Sequence, residues 1–400
     1  MFLDKFLKTI VQVGTLKVIN RSGKTYVYAG APGPNVTMKL HNKQIERQLF
    51  WSPELALGEG YMHGSITLEK GNLYDLLDLC TQNLTLNSAK NIHKNNFLKK
   101  LFPFVGKMIR FVQQYNPVFL ARKHISHHYD MSNEFIDLFL DRDRQYSCAY
   151  FQNKEDSLEK AQENKKHHIA KKLLLQPGQN VLDIGSGWGG MGLYLANHAN
   201  VNVVGLTLSK EQQTVSNQRA LEAGLSDRVQ FHLRDYREET AKYDRIVSVG
   251  MFEHVGTPHY PAFFNQVHRL LKDDGIMLLH AIGSSGPPRT TNAWIRKYIF
   301  PGGYCPSLSE VLPIIEKTKL FVADIEILRL HYAETLKAWR ENFLKNIEKA
   351  RVLYSDVFCR MWEFYLTSCE VGFRNQELMV FQIQLSKRKE VVPITRDYLI

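Results

Sequence analysis

Between residues 158 and 283 strand-like and helix-like segments alternate, and this alternation constrains the fold more than any other feature. Leu158–Leu175 has helical periodicity and stops at Pro177-Gly178. NVLDIG, GGMGLYLANHA, VNVVGLTLS, KEQQTVSNQRALEAG, VQFHLRD, DRIVSVGM, HYPAFFNQVHRLL and GIMLLHAIG then follow in order. Short apolar strands separated by amphipathic helices predict a parallel sheet covered by helices on both faces. After Gly283 comes a long irregular insertion containing SSGPP and FPGGYCP, and then a helix-rich stretch, Ala333–Leu366. The chain returns through LMVFQIQLSKR, a last strand.

Upstream, residues 1–85 read as a small α+β unit, with strand-like Gly23–Tyr28 and Val36–Leu40, a helix over Lys43–Leu49, and a closing helix over Leu73–Cys80. Phe2, Leu3, Phe6, Leu7 and Ile10 fall at helical spacing and predict a short helix packed on this unit. Asp4 stands where a signal peptide would be basic and no A-x-A-like site follows, so a cytoplasmic compartment is expected. Asn83–Asn96, rich in Asn, Lys and Thr, reads as a linker, and Leu98–Arg122 as helix broken by Pro103 and Pro117. The expected organisation is therefore 1–85 as an N-terminal α+β domain, 86–119 as linker and connecting helix, and 120–400 as the larger domain, with the insertion at about 284–330. No run of apolar residues is long enough for a transmembrane helix.

Cys80, Cys148, Cys305, Cys359 and Cys369 are odd in number, widely spaced and without a CxxC pair, which excludes a disulfide framework or a zinc module. The net charge of +11 favours an anionic partner, nucleic acid or an acidic membrane surface, without choosing between them. Lys165-Lys166-His167-His168 and Lys171-Lys172 read as the solvated face of a helix.

The turn in VLDIGSGWGG, Val181–Gly190, follows a strand and opens a helix. Its glycines permit close backbone approach to a ligand, and the helix N-terminus offers unpaired N–H groups. A nicotinamide site would carry an acidic residue at the end of the second strand, whereas this strand ends in Thr207, Leu208 and Ser209, with Gln212 just inside the next helix. Asp183 before the first glycine repels phosphate and suits a cationic, amine-bearing ligand. The turn is therefore expected to hold S-adenosylmethionine through Asp183, Gly185, Gly187 and Gly189, with Asp235 of RDYRE, beside Tyr236, accepting from the adenine amine. This predicts a Rossmann-like class I S-adenosylmethionine-dependent methyltransferase with a small N-terminal α+β domain.

YSCAYF (Tyr146–Phe151), VLDIGSGWGG, VGLTLSKEQ, MFEHVG, LLHAIG and the FPGG of the insertion occur in order. Together they resemble the cyclopropane-fatty-acyl-phospholipid synthase and mycolic acid methyltransferase family over about 120–390. GEGYMHG resembles the extra N-terminal domain of the phospholipid-acting members. The resemblance implies methylene transfer from S-adenosylmethionine to the cis double bond of a membrane phospholipid acyl chain, with bicarbonate held in the site. It implies bicarbonate-site roles for Glu253, His280, Ile282 through its backbone, and Tyr332. It places Cys148 and Cys369 as pocket-lining thiols, with Tyr146 and Ser147 against the methionine part of the cofactor. Phe300 and Tyr304 of the insertion are expected at the acyl channel or its lid, and Glu370 behind the site. His127, His128 and Asp130 lack further ligands, so no metal is expected.

The chemistry imposes its own requirements. An alkene is a poor nucleophile, so the sulfonium methyl must be held in line with it in a dry pocket. The resulting carbocation must be shielded and stabilised by aromatic faces until a base removes a proton. Two rivals stay open. The same cation can yield a methyl- or methylene-branched chain, and the charge would also suit a nucleic-acid methyltransferase, although no Asn-Pro-Pro-Tyr or Pro-Cys motif and no RNA-binding module is present. No nucleic acid partner is expected. An enzyme peripheral on the inner face of an anionic membrane is, with homodimerisation by family analogy.

Overall fold

The computed structural model describes residues 4–91 and 131–399, with side chains to residue 86 in the first of these stretches. They form two compact units: residues 4–91 with Thr291–Pro301 and Leu336–Glu377, and residues 131–290 with Gly302–Thr335 and 378–399.

The first unit holds a four-stranded sheet of order β2-β1-β3-β4, built from β1 (Val13–Ile19), β2 (Thr25–Ala29), β3 (Ala31–Leu40) and β4 (Ile66–Lys70). The short N-terminal helix ends at Ile10, and β1 follows, a strand that the helical reading of this segment did not anticipate. The Asn83 side chain accepts from the N–H groups of Gln12 (2.7 Å) and Val13 (3.0 Å) and donates to the Val13 carbonyl (2.8 Å). That clamp explains why residues 83–91, expected as linker, instead extend the helix Leu73–Asn91. The remainder of that linker, the proline-broken helix over Leu98–Arg122, and His127, His128 and Asp130 lie outside the described residues. Trp294 packs on Phe364 with ring centroids 4.6 Å apart, and Tyr61 donates to Glu363 at 2.8 Å, so the later segments close the same core.

The second unit is built on seven strands of order β10-β11-β9-β8-β5-β6-β7: β5 (Asn180–Ile184), β6 (Asn202–Thr207), β7 (Val229–Leu233), β8 (Tyr243–Val249), β9 (Leu271–Ser284), β10 (Phe321–Ile327) and β11 (Leu378–Ser386). Strands β9-β8-β5-β6-β7 run parallel, while β11 is antiparallel to both β9 and β10. Successive residues feed opposite faces, as the pleat requires. Leu182, Ile246 and Met277 meet Phe252, Tyr260, Phe263 and Phe264 on one side. Val181, Val247 and Leu278 meet Ile169, Leu195 and Phe231 on the other. The insertion is not irregular throughout, since it contains the helix Leu308–Ile315 and edge strand β10. Strand β10, FVADIEI, buries no residue fully, so it lacks the apolar run that marked the central strands.

The helix Leu158–Leu173 departs most from expectation. Leu158, Ala161, Lys165, Ile169, Lys172 and Leu173 are all buried, at the spacing of one helical face. Lys166 pairs with Asp143, and His168 and Lys172 both pair with Glu326. The basic run is thus an inward face and an ion-pair network rather than a solvated surface.

Phe231 of β7 is the wedge behind the cofactor turn. A Cβ on Gly205 would fall 2.3 Å from its ring and one on Gly189 2.8 Å, so both glycines exist to admit it. Phe231→Ala should cost about 3–5 kcal/mol in denaturant unfolding. A loss under about 1 kcal/mol would mean that the turn does not lean on this ring.

Candidate active site

Strand β5 sits where the sheet reverses direction, with β6 and β7 wound to one side and β8 and β9 to the other. In such sheets the crevice opens at the carboxyl ends of the strands beside the reversal. The cavity found there is lined by Tyr146, Ser147, Asp183, Gly185, Gly187, Thr207, Leu208, Gln212, Asp235 and Tyr236, all expected from the sequence. Gly189 and Ser209 stand outside the lining. Gly189 is the cap of the helix Gly190–Ala199, and Ser209 caps Lys210–Glu222 by accepting from Gln212 N–H.

Gly185, at φ 84°, could carry a Cβ only 2.7 Å from Met251 Cβ, so backbone takes the space a side chain would fill. Asp183 is buried, and its Oδ2 has no protein partner. Burial pushes its carboxyl up to about 7, against the charge of Lys165, which favours the ionised form. An orphaned carboxylate oxygen beside a glycine cradle fits a ligand with a cationic amino-acid end, as S-adenosylmethionine has. Asp235 is already engaged, receiving Arg237 Nε at 2.8 Å and Nη2 at 2.7 Å. Thr207 donates to Gln212 Oε1 at 2.9 Å, tying the β6 terminus to the next helix.

Sequence reasoning missed several lining groups: Arg144, Gln145, Trp188, Arg237, Met251 and His254. Arg144 (φ 54°) and Gln145 precede the recognisable YSCAYF and carried no signal of their own. Met251 and His254 flank Glu253 in MFEHVG, so the strand-end position would have found them.

Glu253 turns the other way, toward β9. It accepts from Ile282 N–H through Oε1 at 2.6 Å, while Oε2 is buried without a partner. Burial raises its carboxyl to about 7, and the Ile282 bond opposes the rise. The Ile282 backbone is thereby already bonded to Glu253 itself. His280, on β9, pairs across the ladder with Gln382 of β11, whose Nε2 lies 3.1 Å from His280 Nδ1. Burial, aided by the nearby Lys165 and Lys172 charges, pushes the imidazole down to about 3, so it is neutral at physiological pH. Gln382 Oε1, also buried, has no partner.

Cys148 is buried, its thiol directed at the Ala149 carbonyl (3.3 Å) and its pKa pushed well up by burial. A thiol so disfavoured as thiolate is a packing group rather than a nucleophile. Tyr332 is buried in the first turn of the helix His331–Lys345. Tyr304 donates to Glu310 at 2.6 Å and its N–H bonds the Glu253 carbonyl at 3.0 Å, which joins the insertion to the Glu253 turn. Phe300 and Cys369 belong to the first unit. There Phe300 meets Tyr365, and Glu370 is paired with Arg340 (2.9 Å) and Arg374 (3.1 Å). Among the described residues no cluster of His, Cys, Asp and Glu is arranged to hold a metal, and no helix is long and apolar enough to cross a membrane.

The sheet order and the cavity at its reversal define a class I S-adenosylmethionine-dependent methyltransferase, an enzyme. Residues 120–383 match the family described as mycolic acid cyclopropane synthetase, and the chain belongs to it. Residues 2–91 match a family described only as a domain of unknown function. The chain is 36% identical over 353 residues to the cyclopropane-fatty-acyl-phospholipid synthase of Escherichia coli, covering 88% of each chain. It is 34% identical over 359 residues to a probable fatty acid methyltransferase of Pseudomonas putida, covering 88% of this chain and 87% of the other. A mycolic acid cyclopropane synthase solved with SAH and CTAB superposes with a TM-score of 0.63 at 36% identity, covering 66% of this chain and 97% of that one.

Two outcomes follow for cofactor binding. S-adenosylmethionine affinity, measured by calorimetry, should weaken about tenfold per pH unit below about 7 as Asp183 protonates, since binding to the carboxylate releases a proton there. Asp183→Asn should bind weakly with a flat profile; a variant that keeps the wild-type slope would remove Asp183 from the binding equilibrium. Gly185→Ala should cost about tenfold or more in affinity, because its Cβ must displace Met251 and the residue must hold positive φ.

Proposed function

We propose that the protein transfers a methylene unit from S-adenosylmethionine to the cis double bond of an unsaturated phospholipid acyl chain and closes a cyclopropane ring. The observation that carries the reading is a crevice at the strand reversal, lined by Met251 and His254, with Glu253 in the same turn holding a buried, unpartnered Oε2 and bonded through Oε1 to β9 at Ile282, two residues from neutral His280. Family membership and the names of the relatives support the acyl-chain acceptor.

The glycine turn and Asp183 orient the cofactor. The Phe252, Tyr260, Phe263 and Phe264 cluster walls the Glu253 turn in rings: Phe252 stacks on Tyr260 with centroids 4.3 Å apart. That dry wall excludes water from a cation that water would quench. The orphaned Glu253 Oε2 fits bicarbonate, since it can accept from the ion's hydroxyl. His280, whose Nδ1 faces Gln382, keeps Nε2 to donate, and Tyr332 offers a phenol, and both are proposed to complete the site. Bound there, bicarbonate would supply the base that takes the proton and lets the ring close. Ile282 fixes Glu253, and Gln382 fixes the His280 ring, so both groups meet the ion in one orientation.

Membrane contact at the inner leaflet is part of this reading. The net charge of +11 gains about 1 kcal/mol per surface Lys or Arg from anionic lipid. In the first unit the helix Lys43–Trp51 leaves Phe50 and Trp51 exposed, Trp51 at 81%, aromatic residues of the type that settle at a lipid interface. The N-terminal unit is accordingly proposed to bind lipid or to dimerise. A second reading, methyl or methylene branching of the same acyl chain, is favoured by the name of the Pseudomonas relative. No nucleic acid is involved in either.

Purified protein with methyl-labelled S-adenosylmethionine and vesicles of unsaturated phospholipid should place label in cyclopropane ring protons seen by NMR. Label in a branch selects the second reading, and label absent from lipid rejects both. Glu253→Gln, His280→Ala and Tyr332→Phe should lose turnover, about 100-fold or more, while cofactor affinity stays within a few-fold. Equal loss of affinity and turnover would move these groups to the cofactor.

A further inference from the structure

Lys165 is fully buried on the inner face of the helix Leu158–Leu173. Its ammonium donates to Gln145 Oε1 at 2.6 Å and to Ser147 Oγ at 2.8 Å, both side chains that line the cofactor cavity. Among the described residues no carboxylate is paired with it, so its direct contacts are neutral acceptors, with the buried Asp141 carboxylate acting on it only from further away. Such an arrangement costs stability relative to an apolar side chain of the same shape. Its persistence calls for a partner that arrives with the ligand.

The cavity has two distinguishable ends. Asp235 and Tyr236 follow β7 at one end. Ser147 marks the other, its Cβ lying 3.9 Å from the place a Cβ would occupy on Gly250, just after β8. The acceptor must reach the sulfonium from the side of Glu253, in the turn after β8, and His280, on β9. The adenosine half then lies toward β6 and β7, and the amino-acid half toward Ser147.

We propose that Lys165 is a positioning residue for the amino-acid end of S-adenosylmethionine, acting through Ser147 and Gln145. A lysine can only donate. By donating to Ser147 Oγ it occupies one of that oxygen's two lone pairs and turns the hydroxyl proton away from itself, toward the cofactor carboxylate. By donating to Gln145 Oε1 it fixes the amide so that Nε2 points to Asp143, at 3.1 Å. Asp143 is in turn held by Lys166 and Arg219, which locks the orientation. The field of Lys165 also reaches the ligand's surroundings: it favours ionised Asp183 and neutral His280. At both groups burial is the larger cause, opposed by Lys165 at Asp183 and reinforced by it at His280. The proposal rests on the cofactor reading of the cavity and not on the identity of the acceptor.

The test is calorimetry on the full-length protein with two ligands that do not turn over. S-adenosylhomocysteine carries the amino-acid end; 5′-methylthioadenosine lacks it. Lys165→Met should weaken S-adenosylhomocysteine about tenfold or more, the scale of a lost charge-assisted bond, and leave 5′-methylthioadenosine within about twofold. Ser147→Ala should show the same pattern, and the double variant should bind no worse than about the weaker single, because the two act as one unit. Equal weakening of both ligands, unchanged affinity, or additive losses in the double variant would each overturn the proposal. Should Lys165→Met fail to fold by circular dichroism, Ser147→Ala decides alone: unchanged S-adenosylhomocysteine affinity overturns it, and selective loss supports it. Wild-type protein that binds neither ligand would instead bring down the cofactor reading itself.

Discussion

The reversal of strand order at β5 is the constraint on which the site depends. Helices that follow β5 and β6 cover one side and the helix that follows β8 covers the other, which leaves a crevice above Asp183 bordered by the turn and the ends of β6, β7 and β8. The turn can stay open only because Gly185 holds φ 84° with Met251 against it, and because Gly189 and Gly205 let Phe231 brace it from behind. Backbone geometry thus creates the space, and the core behind it keeps the space from collapsing. The strands then supply chemistry in order along the edge: Thr207 at the end of neighbouring β6 in one direction, Glu253 just past β8 and His280 within β9 in the other.

Buried ionisable groups with incomplete hydrogen bonding gather in this part of the molecule. Asp183 and Glu253 both carry a buried oxygen with no protein partner, and burial raises each carboxyl to about 7. An unpaired polar atom in a dry site costs free energy, and ligand binding recovers it. That is the physical meaning of preorganisation here: the protein holds carboxylates poised where a solvated site would leave them relaxed and water-bonded. The same dryness that penalises these groups would shield the carbocation of the proposed reaction, so stability and chemistry would draw on one feature.

How much of this was legible in the sequence depended on how local the cause was. The glycine turn and Asp183 declare themselves within ten residues, because close approach and positive φ are local requirements. Glu253 could be placed just past a strand from hydrophobic periodicity, whereas His280, expected at a strand end, lies inside β9, which runs on to Ser284; the site role of both came from the resemblance. What the sequence hid was pairing across distance. Gln382 acquires its relation to His280 only when β11 enters antiparallel beside β9, a register no local pattern encodes. Asn83 looks like linker chemistry until its amide is seen to satisfy the backbone of Gln12 and Val13. Strand β10 escaped for the opposite reason: an edge strand with no buried residue lacks an apolar signature.

The two buried lysines of one helix separate a structural charge from a functional one. Lys172 and Lys165 are seven residues apart, two turns along the same face, and both are withdrawn from water. Lys172 meets Glu326, which is also bonded by His168, and these partners pull the Glu326 carboxyl down to about 2. That pair is closed: donor, acceptor and charge are all accounted for within the protein. Lys165 meets only an amide and a hydroxyl, and burial lowers its ammonium to about 8. Asp141 acts on Lys165 only at longer range, so the two lysines of this helix are not compensated alike. The asymmetry follows the cavity. The lysine away from it has its counter-ion in the chain, and the lysine beneath it is completed by an anionic ligand group.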